Sequence, residues 1–306
     1  MSIIQVRDLS IQYAGGRKSV KECSFVVQEG EVFGLLGSNG AGKSTILMAF
    51  AGLIKNFRGD VTIMGNDCRF SSGINRDVAY VPQSPCLFFD FTVRENLHFF
   101  CSMEGLGGDE RESKIKELLS KFYLEGFADM AAGRLSGGYR QLLNIALSSV
   151  LDKKIVLMDE PTAGLDLWSK KKVGEHIREL KSRGKTVVLT THDLADAESL
   201  CDNVVILSDG RVLANGNIRS LLRDFGGGYT ISVSLSNKIP KVLPLAYSKV
   251  ISISAQRLVL ETNQADIGPA ITELVSKLGS AGIEDLEVRE PSLGYVFSNL
   301  LSKVKA

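Results

Sequence analysis

The chain of 306 residues predicts an α/β fold, and three observations carry that expectation. A glycine-rich stretch, Gly37–Ser44, stands between an apolar strand-length run and a helix-forming segment. From Ile155 to Ser208, short apolar runs alternate with helical periods, the pattern of a parallel sheet covered by helices. Beyond Gly226-Gly227-Gly228 the texture changes to short strands and two helices, which reads as a linker and a small α+β domain.

Taken in order, Ile3–Ile11 alternates and reads as a strand, followed by Ser24–Val27 and Glu31–Leu36 around the turn Gln28-Glu29-Gly30. Val61–Met64 is another strand, closed by Gly65-Asn66-Asp67, so the opening is β-rich. A short strand, Val78–Val81, leads into a helical subdomain at about 84–151 with helices at Thr92–Met103, Glu110–Tyr123 and Ser136–Leu151. Then come strand Ile155–Met158, helix Leu167–Ser182, strand Thr186–Thr190, helix Leu194–Cys201 and strand Val204–Ser208. In the last part, strands are expected at Tyr229–Leu235, Val250–Ser254, Leu258–Thr262 and Ile283–Glu290, and helices at Ala265–Leu278 and Pro291–Leu301. The domains are therefore expected at 1–225 and 226–306.

Composition narrows the function classes. Thirty-six basic and 35 acidic residues leave a net charge of +1, which argues against non-specific nucleic-acid binding by the whole surface. The apolar runs are far below the roughly 20 residues that span a bilayer. Met1-Ser2-Ile3-Ile4-Gln5 lacks the basic stretch and apolar core of a signal peptide. Five scattered cysteines with no Cys-x-x-Cys pair read as reduced thiols of a cytoplasmic protein, most of them small core residues.

The chemistry begins at Gly37-Ser38-Asn39-Gly40-Ala41-Gly42-Lys43-Ser44, which fits G-x-x-x-x-G-K-[ST] between strand and helix. Its glycines let several backbone N–H groups converge on phosphate oxygens, and the helix beginning near Lys43 adds its positive end. Lys43 is expected to reach the β- and γ-phosphates and Ser44 to bind Mg²⁺, with Thr45 beside them. Ile155–Met158 ends at Asp159-Glu160, two carboxylates delivered to the ligand crevice of such a sheet. Asp159 would hold the metal, and Glu160 would take a proton from an attacking water. Gln83, after Val81-Pro82, could ligate the metal and orient water, although alone it reads more readily as a surface glutamine. His192 could bond the γ-phosphate or serve as a helix-entry residue beside Asp193. Tyr13 could stack on a base or pack a hairpin. A second glycine-rich helix start, Leu135-Ser136-Gly137-Gly138-Tyr139-Arg140-Gln141, has Ser136 as a natural N-cap and a second set of amides able to meet phosphate.

These elements, in this order, resemble the ATP-binding cassette ATPases, the nucleotide-binding subunits of ABC transporters. The resemblance covers residues 1–222. It implies a P-loop NTPase core with an antiparallel β subdomain and a helical subdomain. It also assigns Tyr13 as the adenine-stacking aromatic, Gly37–Ser44 as Walker A, Gln83 as the Q-loop and Leu135–Gln141 as the signature. Ile155–Glu160 is then Walker B, Ala163-Gly164-Leu165-Asp166 the D-loop and His192 the switch histidine. Tyr139-Arg140 replaces the commoner Gln-Arg or Met-Lys. In this family Ser136, Gly137 and Gly138 bind the γ-phosphate of ATP held by the other subunit, so two subunits sandwich two ATP molecules.

The resemblance further implies ATP and Mg²⁺ as cofactors and a separately encoded membrane-spanning permease. It implies a homodimer or heterodimer at the cytoplasmic face of the membrane, with no nucleic acid as partner. The apolar stretch Pro85-Cys86-Leu87-Phe88-Phe89-Asp90-Phe91 could receive a coupling helix of the permease, or form the core of the helical subdomain. Thr92–Phe100 and Glu290–Phe297 are similar to segments of drug- and antibiotic-exporter ATPases, with Gly294-Tyr295 in place of an acidic pair. Export is therefore expected; an importer subunit or a soluble ABC ATPase is the alternative. The last domain is expected to bind its twin, regulate closure or simply stabilise the chain.

Overall fold

The computed structural model describes residues 1–13, 18–69, 77–225, 228–236, 245–254, 256–279 and 282–305, so Gly226 and Gly227 of the expected linker lie outside the described residues. The chain divides into two compact units, Met1–Ile218 and Arg219–Ala306.

The first unit contains two sheets. Strands β1 (Ser2–Gln12), β2 (Lys18–Gln28), β4 (Arg58–Ile63) and β5 (Asn66–Asp67) form an antiparallel sheet in the order β2-β1-β4-β5. The second sheet has the order β10-β9-β3-β8-β7-β6, built from β3 (Val32–Gly37), β6 (Val78–Val81), β7 (Ile155–Asp159), β8 (Thr186–Thr191), β9 (Asn203–Ser208) and β10 (Arg211–Asn217). Five of these run parallel; β10 is an antiparallel edge strand on β9. Helix α1 (Lys43–Phe50) follows β3. Helices α2 (Val93–Met103), α3 (Gly108–Lys121) and α4 (Gly137–Ser148) follow β6. Then α5 (Leu167–Ser182) and α6 (Leu194–Leu200) complete the order of this unit, and α7 (Ile218–Phe225) runs from its last residue into the second.

The central parallel strands β3, β7 and β8 are buried on both faces, which explains their unbroken apolar runs. Val156, Met158, Val187 and Leu189 point to the helical side, where they meet Leu97, Leu118 and Leu142. Ile155, Leu157 and Val188 point the other way, into a core shared with Phe50 of α1 and Ile4, Phe25 and Val61 of the antiparallel sheet. Caps match sequence at the helix starts. Thr92 and Glu95 form a capping box at α2, Ser136 accepts from the Tyr139 amide at α4, and Asp193 accepts from Ala195 and Asp196 at α6.

Three element readings change. β2 begins at Lys18, earlier than Ser24, because Glu22 adopts φ 54° and the β1–β2 register shifts there, which breaks the strict alternation of a strand. β10 and α7 were not expected from the sequence; β10 is an edge strand in which Ala214 alone is buried, so its pattern is weak.

The second unit carries a four-stranded antiparallel sheet, β12-β13-β11-β14, from β11 (Tyr229–Leu235), β12 (Lys249–Ile253), β13 (Arg257–Thr262) and β14 (Ile283–Arg289). Helix α8 (Ile267–Leu278) sets Ala270 and Leu274 against Ile231, Val233, Leu258 and Leu260. Helix α9 (Leu293–Lys305) closes the chain. This is the small α+β arrangement expected from the change in texture.

Candidate active site

Four loops converge because four neighbouring parallel strands, β3, β8, β7 and β6, end at the same edge of the sheet. The Gly37–Ser44 loop leaves β3, His192 leaves β8, Asp159 and Glu160 leave β7, and Gln83 leaves β6. An open cleft of about 420 Å³ lies between them, lined by Tyr13, Ser19, the run Asn39–Thr45, Gln83 and Glu160.

The loop's geometry depends on glycine at Gly42. Its φ is 100°, and a β-carbon there would meet the Ser19 carbonyl oxygen at 2.5 Å. Gly42 also stands at the N-cap of α1 without a side-chain cap, so the first-turn amides of the helix are open to an anion. Lys43 is buried; its Nζ donates to the carbonyls of Gly37 (2.8 Å) and Ser38 (3.3 Å) and pairs with Glu160 Oε1 at 3.2 Å. The second Glu160 oxygen lies 2.9 Å from His192 Nδ1. Glu160 thus stands between a cation and the half-exposed imidazole, itself buried and at φ 48°.

Ser44 Oγ donates to Asp159 Oδ1 at 2.9 Å, which brings two hard oxygen donors to one point beside the loop. Gln83 is exposed on the wall of the same cleft. Tyr13 is 44% exposed, with its hydroxyl 3.1 Å from Thr45 Oγ1, which also lies 3.0 Å from Ser19 Oγ. The tyrosine ring is therefore steered by a chain of hydroxyls while its face stays open to a planar ligand. Ser19 was not found from the sequence: a serine at a strand start has no motif, and it reaches the cleft through the pairing of β2.

The Ser136 start lies elsewhere. Ser136, Gly137, Gly138 and Asp166 are absent from the walls of the loop cleft. They form a second cluster, in which Gly138 packs on the Asp166–Ser169 cap of α5; Asp166 Oδ1 accepts from the Ser169 amide and Oδ2 from its hydroxyl. Those two bonds hold the Asp166 carboxyl below its ordinary range. Gly137 is exposed, with no atom within 4 Å of its β-carbon position. Tyr139 lies between Phe127 (4.3 Å between ring centres) and Trp168 (5.6 Å), so a half-buried aromatic contact joins α4 to α5.

The Pro85–Phe91 stretch divides between its two readings. Phe88, Phe89 and Phe91 are exposed and, with Phe99, form a surface cluster in which Phe88 meets Phe99 at 4.7 Å and Phe91 at 5.1 Å. Leu87 alone of this stretch packs on the helical core.

Residues 20–163 match the family model described as ABC transporter. A relative from Rhizobium sp. (strain N33), Nod factor export ATP-binding protein I, is 37% identical over 303 residues, covering 96% of this chain and 98% of the relative. ABC transporter A family member 8 of Dictyostelium discoideum is 35% identical over 248 residues; the match covers 78% of this chain but only 30% of that protein's length. Among solved structures, a dimeric ATP-binding cassette in a post-hydrolysis state with ADP and Pi bound superposes with a TM-score of 0.65. It is 28% identical, and the match covers 70% of this chain and 98% of that one. With a glycine-rich loop, an acidic pair and a histidine gathered at one sheet edge, the chain belongs to the ABC transporter family as one of its ATP-binding, ATP-hydrolysing subunits.

Proposed function

We propose that this subunit powers export: two copies, or one copy and a second ATPase subunit, close on ATP and drive a separate membrane-spanning permease from the cytoplasmic face of the membrane. Support for export comes from the Rhizobium relative, whose name says export and whose match runs almost end to end. No helix among the described residues is long and apolar enough to cross a membrane, so the conduit is assigned to a partner. The exposed Phe88–Phe89–Phe91–Phe99 cluster is the surface offered to it.

The observation that carries the dimer is the separation of the two glycine-rich helix starts. Ser136, Gly137 and Gly138 stand away from the loop cleft of their own chain, with Ser136 and Gly137 exposed and Gly138 packed behind them, so a twofold partner would place this helix start over the nucleotide held by Gly37–Thr45. Asp166, on the same cluster, would then lie at the same junction. Residues 1–225 are assigned to this ATPase work and 226–306 to an accessory, regulatory role.

Within the site, Tyr13 would stack on adenine and the Asn39–Ser44 amides would cradle the phosphates. Lys43 would exchange Glu160 and its carbonyl acceptors for phosphate oxygens, which leaves Glu160 free to accept the proton of an attacking water. His192, bonded to Glu160, would meet the γ-phosphate. Ser44, Gln83 and Asp159 offer oxygen donors that fit Mg²⁺. When bound, the ion would neutralise charge on the phosphates and help align them.

Glu160→Gln tests the reading. It should bind ATP normally, lose about 10²-fold or more of turnover, and run as an ATP-dependent dimer in size-exclusion chromatography. A variant that stays monomeric and hydrolyses at the parental rate would remove Glu160 from the base role.

A further inference from the structure

Thr190 lies on β8, two residues before His192, and is completely buried. In the parallel register it sits beside Asp159 on one side and Leu35 on the other. Its hydroxyl makes two short bonds. It donates to Asp159 Oδ1 at 2.6 Å and accepts the Glu160 amide N–H at 2.8 Å. One donor and one acceptor use the hydroxyl's proton and a lone pair, and both go to the acidic pair.

The neighbouring threonines of this strand do other things. Thr186 accepts the Gly30 amide, and Thr191 accepts the Asp193 amide at the start of α6. Valine fills the equivalent buried positions at Val187 and Val188, so shape alone does not require a hydroxyl at Thr190. The two groups it holds are also those least able to hold themselves. Glu160 sits in the left-handed region at φ 48°, a conformation unfavourable for a residue with a side chain. Asp159 Oδ1 is shared with Ser44 Oγ, so the carboxylate's rotation decides where its other oxygen points.

We propose that Thr190 is a positioning residue for hydrolysis: through one hydroxyl it sets the rotamer of Asp159 and the left-handed turn at Glu160, and so aligns the metal-facing and water-facing carboxylates together. This rests on the roles proposed above for Asp159 and Glu160. Thr190→Val keeps the shape but leaves the buried Glu160 amide without a partner and Asp159 Oδ1 with Ser44 Oγ as its remaining donor. Thr190→Ser keeps both bonds.

The test compares wild type, Thr190→Val, Thr190→Ser and Glu160→Gln. ATPase rates are measured across a Mg²⁺ titration, and binding of a fluorescent ATP analogue is measured with Mg²⁺ and with EDTA. Thr190→Val should lower kcat about tenfold or more, with KM moved less than about threefold and more Mg²⁺ needed for half-maximal rate. The gain in analogue affinity on adding Mg²⁺ should shrink in Thr190→Val, while affinity in EDTA stays at the wild-type value. Thr190→Ser should recover to within about threefold of wild type. A Thr190→Val enzyme with wild-type kcat and Mg²⁺ dependence overturns the proposal. So does a Thr190→Ser enzyme as impaired as Thr190→Val, or an equal loss of analogue affinity in EDTA, since each assigns the residue to packing alone. A Glu160→Gln enzyme with parental turnover would instead overturn the underlying roles of the acidic pair.

Discussion

Gly137 and Gly138 are adjacent, both helical, and neither has a left-handed backbone, yet alanine should act oppositely at the two positions. A β-carbon on Gly138 would press into Ser169 Oγ, 3.0 Å from Ser169 Cβ and 3.1 Å from Asp166 Oδ2. Ser169 is buried and cannot swing its hydroxyl aside without giving up that group's bond to Asp166 Oδ2. Overpacking of this kind costs about 1–3 kcal/mol. Replacing glycine in a helix returns roughly 0.5–1 kcal/mol. Gly138→Ala should therefore destabilise the chain by about 1–2 kcal/mol, a fall in Tm of roughly 2–8 °C for a unit of this size. Gly137→Ala meets open space and should be neutral or gain up to about 1 kcal/mol. Its methyl nevertheless projects from the exposed helix start, so turnover should fall while stability does not. Trp168, the only tryptophan, reports the change directly: it neighbours Ser169, and its ring lies 5.6 Å from those of Tyr123 and Tyr139. Thermal unfolding followed by Trp168 fluorescence, beside ATPase rates, measures both effects. A Gly138→Ala variant as stable as wild type, or a Gly137→Ala variant equally destabilised, would refute the reasoning.

Tyr13→Phe should keep nearly full ATP affinity, because the hydroxyl only reaches Thr45, whereas Tyr13→Ala should lose about 1–3 kcal/mol of binding in a fluorescent-ATP titration. Equal losses in both variants would transfer the effect from the ring to the hydroxyl. His176 is buried against Phe122, and burial, with Lys121 adding to it, lowers its pKa from 6.5 to about 4. The unfolded chain therefore binds the proton first as the medium is acidified. Stability should hold above about pH 6.5 and fall between there and pH 4, by at most on the order of 3 kcal/mol from this residue. Urea titrations at pH 7 and pH 5 should show that difference shrink in His176→Gln; an unchanged difference would place the pH dependence elsewhere.

Much of the fold was legible because its signals are local. Leu167–Ser182 is a helix over the span its periodicity indicates, and Val78–Val81 and Tyr229–Leu235 are strands over theirs. Where the local pattern is irregular, the reading fell short. β2 hides its first half behind the left-handed Glu22, and β10 is held by β9 rather than by its own apolar face.

The sequence by itself determined which chemistry the chain carries. A glycine-rich loop ending in Lys43-Ser44, an acidic pair after an apolar strand, and a second glycine-rich helix start behind Ser136 are each written in a few consecutive residues. Capping, backbone freedom and charge act over that same range. Only the tertiary structure decided which of these groups share a site. The strand order β3-β8-β7-β6 carries Lys43, His192, Glu160 and Gln83 to one edge, while it leaves Ser136–Gly138 on a separate cluster with Asp166. The fold also recruits Ser19, on β2 of the other sheet, and Thr190, neither with a motif of its own; strand register sets the Thr190 hydroxyl beside a carboxylate 31 residues away in the chain. Such pairings follow from long-range burial and hydrogen bonding across the sheet.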